Sequence, residues 1–266
     1  MPTFKGSKTG TRNKKQSRHR EIHHMSSVDA ERSVRILGHR GRFGSRILSI
    51  LQGAGVPARA LDASDAPPPT ALIDASSPTG IDTLVAGAER TRAGVVYCVS
   101  GTPPEQQARL RALADLVPVI TVQNATVGSH LQLALARTLA ASPLLRDDQV
   151  SYTVLDRHPI TKKDAPSATA IRLASALESA GDGAVAVRSE RYGDPVADHA
   201  IVLEFGSETL RIEHSVSSLD NSARQVAKLA LLIPALPPGL YSVSDVYERY
   251  GDALPTLPAA EAKEEA

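Results

Sequence analysis

A chain of 266 residues with a net charge of +1 and 42% apolar residues has enough hydrophobic material for one large or two modest domains, which excludes a wholly disordered protein. One Cys excludes an intrachain disulfide and a cysteine-built zinc site, and no metal site is expected; three Phe and no Trp favour an aliphatic core of strands covered by helices over an aromatic-rich sandwich. No apolar run approaches about 18 residues, so no membrane contact is expected, and a reducing cytoplasm suits the single Cys98.

The chain opens on a basic leader. Residues 1–24 carry seven Lys/Arg against one Glu, about +6, which leaves the remainder near −5. The leader has almost no apolar residues, reads as disordered, and lacks the apolar centre of a secretory signal. It could be a nucleic-acid arm, a transit-type segment, or an upstream extension with translation starting at Met25. The third reading is preferred, because the mildly acidic body has no basic face with stacking aromatics, and no nucleic-acid partner is expected.

From Ser33 the pattern is α/β. SVRIL reads as a strand, GHRGRFG as a loop, and SRILSILQGAG as a helix closed by glycine. VPARALD and TALIDAS are strands, GIDTLVAGAERTRA a helix, and GVVYCVS a strand in which Cys98 is a small core residue. PPEQQARLRALADL is a helix and PVITVQNA a fifth strand. This alternation implies a doubly wound parallel sheet. After Asn124 the rhythm changes. HLQLALARTLAAS (helix) leads to QVSYTVLDRH (strand) and SATAIRLASALESA (helix), then to three successive strands, AVAVRSER, HAIVLEFG and ETLRIEHSVS. The last two form a hairpin through FGSE, so a second, α+β unit with a mixed open sheet is expected. Residues 221–233 read as a helix once more.

Gly38, Gly41 and Gly44 follow the first strand and open the first helix. Such a turn brings backbone N–H groups and a helix N-terminus onto a pyrophosphate, where a Cβ would obstruct. Asp62 ends the second strand, 24 residues beyond Gly38, and could bind a ribose, which favours NADH. Arg40 and Arg42 could instead receive the 2′-phosphate of NADPH. The choice stays open.

HPITKKDAPSATA concentrates a His, two Lys, an Asp, a Ser and two Thr within thirteen residues, around a proline that breaks regular structure. With the glycine loop, it makes the chain resemble the 4-hydroxy-tetrahydrodipicolinate (dihydrodipicolinate) reductase family of lysine biosynthesis. GHRGRFG resembles the family's GxxGRMG, LIDASSP its VDFTxP, VSGTPP its GTTG loop, and DRHPITKKDAPSATA its ExHHxxKxDAPSGTA. VQNATVG, HAIVLEF, IEHSVSS and PPGLYSVSDV follow in the family's order, so the resemblance spans Val34 to Val246.

The resemblance implies a Rossmann domain from residues 25–124 and 220–255, a substrate-binding and oligomerisation domain at 125–219, and a flexible tail at 256–266. It implies a homotetramer, or a homodimer, acting on a small carboxylate. His158 becomes the proton donor and Lys162 the acid or charge partner. Ser167, Ala168 and Thr169 grip a carboxylate. Gly38, Arg40, Gly41, Arg42, Phe43, Gly44, Asp62, Gly101, Thr102 and Asn124 hold NADPH or NADH, and Thr126 helps close the cleft. The residues independently mark Ser167, straight after Pro166, as a helix N-cap beside an anion-binding helix start.

Departures from the family pattern bear on the substrate. Pro159 replaces its second histidine, Ala168 its glycine, Pro103-Pro104 part of its nicotinamide loop, Ala125 an aromatic, and Leu219 an arginine. A reductase of a cyclic imine or unsaturated carboxylate is therefore expected, on 4-hydroxy-tetrahydrodipicolinate or a relative. The alternative is a related protein that has lost hydride transfer and serves as a non-redox enzyme or binding protein.

Overall fold

The computed structural model describes residues 32–63, 67–145, 150–178, 185–193 and 197–258. The basic leader and most of the tail lie outside the described residues. In chain order, β1 (Val34–Leu37), α1 (Arg42–Gly53), β2 (Ala58–Ala60), β3 (Ala71–Asp74), α2 (Ile81–Thr91), β4 (Gly94–Tyr97), α3 (Pro104–Leu113) and β5 (Pro118–Thr121) alternate as the sequence reading expects. Then α4 (Val127–Ala141), β6 (Val150–His158), α5 (Ala168–Glu178), β7 (Val185–Arg191), β8 (Ala197–Phe205) and β9 (Glu208–Val216) build a second unit. The chain returns through α6 (Asp220–Leu232), β10 (Gly239–Ser242) and α7 (Val243–Tyr250).

The first sheet has the order β10-β5-β4-β3-β1-β2, with every pairing parallel. Neighbouring residues on one strand enter different cores. Ile73 and Val96 pack with α1 and α6, while Leu72 and Val95 pack with Leu84 of α2 and Leu110 of α3. Both faces are therefore covered, and the strands read as continuous apolar runs instead of alternating. The chain leaves β1 for β2 on one side and returns to β3 on the other. The carboxyl end of β1 thus lies at the switch point where such sheets bind nucleotides.

The second sheet has the order β7-β6-β8-β9, parallel between β6 and β7 and antiparallel elsewhere. Phe205 pairs with Glu208 around Gly206-Ser207, and Gly206 adopts φ +60, as a tight hairpin requires. Tyr152, Val154, Ile201 and Leu203 face Leu133 of α4 and Leu173 and Leu177 of α5. On β6 this leaves Asp156 and His158, two and four residues past Val154, on the same buried face.

Several boundaries differ from the sequence reading. α1 begins at Arg42, so Phe43 and Gly44 belong to the helix's first turn and not to a loop. α4 starts at Val127, three residues before His130, because Thr126 caps it through an Oγ1 contact from the Ser129 N–H. β4 ends at Tyr97, which leaves Cys98 just past the strand, packed against the core with its thiol pKa pushed up by burial.

Candidate active site

The glycine turn is shaped by backbone against backbone. Gly38 has φ +82, and a Cβ there would lie 2.6 Å from the Ala75 carbonyl oxygen. A Cβ on Gly44 would lie 2.2 Å from the Gly38 carbonyl oxygen, whereas at Gly41 the nearest atom is 3.3 Å away. Gly38 and Gly44 are therefore the obligatory glycines. Gly41 serves as the N-cap of α1 without a side-chain cap, so the Arg42, Phe43 and Gly44 amides head the helix free for an anion. Asp74, at the end of β3, supports the neighbouring turn by accepting from the Ser76 amide (2.9 Å) and hydroxyl (2.5 Å). Burial raises its pKa despite those bonds.

An open cleft of about 550 Å³ beside this turn is lined by Gly38, His39, Arg40, Asp62 and Arg90. Arg40 and Asp62 thus line one cleft. Arg42 is exposed at the head of α1 and does not line this cleft, while Phe43 packs into the core. Arg90, in the last turn of α2, was not singled out by sequence reasoning; only the fold brings it here.

A second cleft brings the two sheets' loops together. Gly101, Thr102, Tyr97 and Gln123 line it from the first unit and Ala168 from the second. Thr102 Oγ1 is held 3.2 Å from the Tyr97 hydroxyl and 3.1 Å from the Val99 carbonyl. Asn124 is bound locally, its Oδ1 accepting from the Thr126 amide (3.0 Å) and hydroxyl (2.8 Å), while its amide nitrogen reaches Thr169 Oγ1 at 3.5 Å. It stitches the two units together and lines an adjoining cavity with His130 and Arg172.

The expected helix cap at Ser167 is present: Oγ accepts from the Ala170 amide at 3.2 Å. The serine is only 3% exposed and its hydroxyl also meets His199 Nε2 at 3.1 Å. Its contribution to an anion in the cleft is therefore the placing of the helix start, where the Ala168 and Thr169 amides have no carbonyl within the helix to bond. Ala168 is exposed at that position and Thr169 half-buried.

Behind the helix start lies Asp156, whose side chain is fully buried. Its Oδ2 accepts from the Ser167 amide (3.0 Å), the Ser189 hydroxyl (3.0 Å) and Arg191 (3.1 Å). Its Oδ1 lies 3.1 Å from His158 Nε2 and 3.3 Å from His199 Nε2, although neither ring N–H is aimed squarely at it. Burial alone would raise this carboxyl's pKa, but His158, His199 and Ser167 hold it far below the usual range. Sequence reasoning singled out His158 and missed Asp156, His199, Ser189 and Arg191. The available signal was the alternation of Asp156 and His158 on one strand face.

Lys162 stands on the loop after β6, bonded to Asp164 Oδ1 at 2.8 Å. That pairing helps lower the Asp164 pKa against a burial effect that raises it, with a further pull from His158. Lys162 is thus a charge partner of the loop, and it does not line the cleft that Ala168 shares with Gly101 and Thr102. Asp156, His158 and His199 also offer ligand atoms within 4.8 Å of one another, the geometry of a possible cation site.

Comparison with known proteins places this arrangement. Residues 128–247 match the family described as dihydrodipicolinate reductase, C-terminus. The chain is 30% identical over 249 residues to the 4-hydroxy-tetrahydrodipicolinate reductase of Myxococcus xanthus, covering 80% of this chain and 88% of the relative. It is 27% identical over 259 residues to that of Granulibacter bethesdensis, covering 82% and 98%. Among solved structures, a dipicolinate-bound dihydrodipicolinate reductase from Paenisporosarcina sp. TG-14 superposes with a TM-score of 0.64 at 16% identity, over 81% of this chain and 99% of that one.

Proposed function

Because this chain belongs to the 4-hydroxy-tetrahydrodipicolinate reductase family, we propose that it is an NAD(P)H-dependent reductase of a cyclic imine or unsaturated carboxylate, 4-hydroxy-tetrahydrodipicolinate or a close relative. The observation that carries this reading is the single cleft shared by the Gly101-Thr102 loop past the carboxyl end of β4 and the Ala168 helix start of the second unit. A substrate carboxylate at that helix start would lie beside the place the nicotinamide takes in such a fold.

The residues fit the nucleotide: at Gly38 and Gly44 a side chain would collide with backbone, so the turn stays open for a pyrophosphate on the α1 amides. Arg40 and Asp62 would meet the ribose, with Arg40 favouring a 2′-phosphate and Asp62 a free hydroxyl. When bound, the nucleotide supplies a hydride. The electron pair displaced from the reduced double bond then needs a proton, which His158 gives from its place on the Asp156 carboxylate. Lys162, once released from Asp164, would steady the negative charge. The Ala168 and Thr169 amides orient the carboxylate.

Self-association as a homotetramer, or a homodimer, belongs to the same proposal. The face of the second sheet opposite α4 and α5 presents the half-buried Thr153, Leu155 and Arg157 of β6 with Val202 beside them on β8, a surface suited to a second copy.

The test is fluorescence titration with NADH and with NADPH, followed by turnover of 4-hydroxy-tetrahydrodipicolinate. His158→Ala should bind the nucleotide normally and lose turnover on the order of 100-fold or more. No binding of either nucleotide by the unmodified chain would favour the alternative of a related protein without hydride transfer.

A further inference from the structure

We propose that Asp156 and His199 are positioning residues that join the proton donor and the anion-binding helix start into one unit, so that a carboxylate seated at α5 sets the orientation of His158. The inference rests on the reductase reading and extends it to residues outside the motif that suggested it.

Strand register builds the unit. Asp156 on β6 is paired with His199 on β8 and with Ser189 on β7, and His158 is paired with Arg191. Side chains of paired residues emerge on the same face, so five polar groups meet in one layer, with Asp156, His158 and His199 buried, Arg191 half-buried and Ser189 at its exposed margin. Ser167 is held at two atoms by two members of that layer. Its amide bonds Asp156 Oδ2, and its hydroxyl meets His199 Nε2. His199 and His158 pack edge to face, with centroids 5.1 Å apart, on either side of Oδ1. From the other side, the Gln132 amide of α4 donates to the His199 carbonyl at 2.8 Å and fixes its strand.

The consequence is mechanical and electrostatic. Ser167 begins the helix whose next amides face the cleft, so any movement of that start bears on Asp156 and His199 directly. Oδ2 is saturated by three donors, which leaves Oδ1 for the two imidazoles. Neither is yet well aligned with it, and catalytic hydrogen bonds commonly tighten only when substrate is bound. A buried network of this kind cannot substitute water for a lost member, so its parts act together. A divalent cation on Asp156, His158 and His199 is the competing use of the same atoms. Arg191 already neutralises the carboxylate and Ser167 already occupies His199 Nε2, which favours the positioning role.

The experiment uses the full chain, with dipicolinate as the binding probe and 4-hydroxy-tetrahydrodipicolinate for turnover. His199→Leu should weaken dipicolinate and lower kcat by about 10-fold each, with nucleotide affinity kept within about twofold. His199→Gln, whose amide can stand near the Nε2 position, should recover most of both. Combining His199→Leu with Ser167→Ala should cost less than the product of the two single losses, because each breaks the same contact. Should His199→Leu fail to fold, His199→Gln with Ser167→Ala closes an equivalent cycle. Wild-type kinetics in His199→Leu, strictly multiplicative losses, or no advantage of Gln over Leu at equal melting temperature would overturn the inference. So would turnover abolished by EDTA and restored by Zn²⁺, which would assign the cluster to a metal. If the unmodified chain neither binds nucleotide nor turns the substrate over, the reductase reading itself fails; if it does both and only the His199 variants are silent, that reading stands and this coupling falls.

Discussion

The two halves of the candidate site are built in opposite ways. At the proposed nucleotide end, the structure works by leaving side chains out: Gly38 and Gly44 keep Cβ atoms away from the backbone, and the start of α1 has no side-chain cap. At the proposed proton-donor end it works by crowding polar groups together, four side chains and the Ser167 amide around one buried carboxylate. The first design is local in sequence and tolerant of what surrounds it. The second depends on three strands being in register, so a single change there should propagate further.

The largest expected effect follows from that dependence. Asp156→Asn leaves the largely buried Arg191 side chain and both imidazoles without their fully buried counter-charge, and breaking such a pair costs on the order of 3 kcal/mol. The pH dependence has a definite sign. The Asp156 pKa is depressed in the folded protein, so its contribution is fully present above the unfolded value of about 3.9 and shrinks by about 1.4 kcal/mol per unit below it. His158, His199 and Arg191 are the charged or titratable groups facing it. Urea unfolding at pH 7 and pH 3 should therefore show a gap between wild type and variant that narrows in acid. An equal gap at both pH values would mean that the carboxylate's charge is not what holds the layer together.

The same contrast explains what could be read from the sequence. The glycine turn, the strand–helix alternation, the hairpin at Gly206 and the cap at Ser167 are set by contiguous residues whose backbone demands are local. The partners of Asp156 are not local. Ser189 and Arg191 lie 33 and 35 residues away, and Ser167 and His199 are separated by 32. Their meeting requires the register of β6 against β7 and β8, which periodicity does not determine. The early start of α1 was hidden for a related reason. Gly44 reads as a loop residue, yet its glycine is demanded by contact with the Gly38 carbonyl inside the helix's first turn. Lys162 carries its charge in the sequence, but its bond to Asp164 becomes visible only once the loop has a shape.

A change at the nucleotide end should be intermediate in size. Gly44→Ala forces a methyl to within 2.2 Å of a backbone oxygen, so the turn must shift, at about 1–3 kcal/mol in stability and with cofactor affinity falling about 10- to 100-fold. Gly41→Ala, with 3.3 Å to its nearest atom and φ −72, should stay within about twofold of wild type. Paired titrations of NADPH and NADH against both variants separate the two glycines. Equal losses would show that the turn is read by its flexibility and not by the Gly44 contact.

The smallest effect is expected at an ion pair that looks similar on paper to Asp156–Arg191. Arg46 of α1 meets Asp220 at the head of α6 at 2.6 Å, a shorter distance than the 3.1 Å of the buried pair. Their side chains are 44% and 64% exposed, however, so water screens the attraction and both can be resolvated when the pair is broken. Arg46→Ala should cost about 0.5 kcal/mol or less in urea unfolding, with cofactor affinity unchanged. Distance would rank the two pairs one way and burial the other. A loss from Arg46→Ala comparable to that from Asp156→Asn would mean that the contact between α1 and α6 stabilises the nucleotide fold more than its exposure suggests, and that the division between a backbone-built end and a side-chain-built end is too sharp.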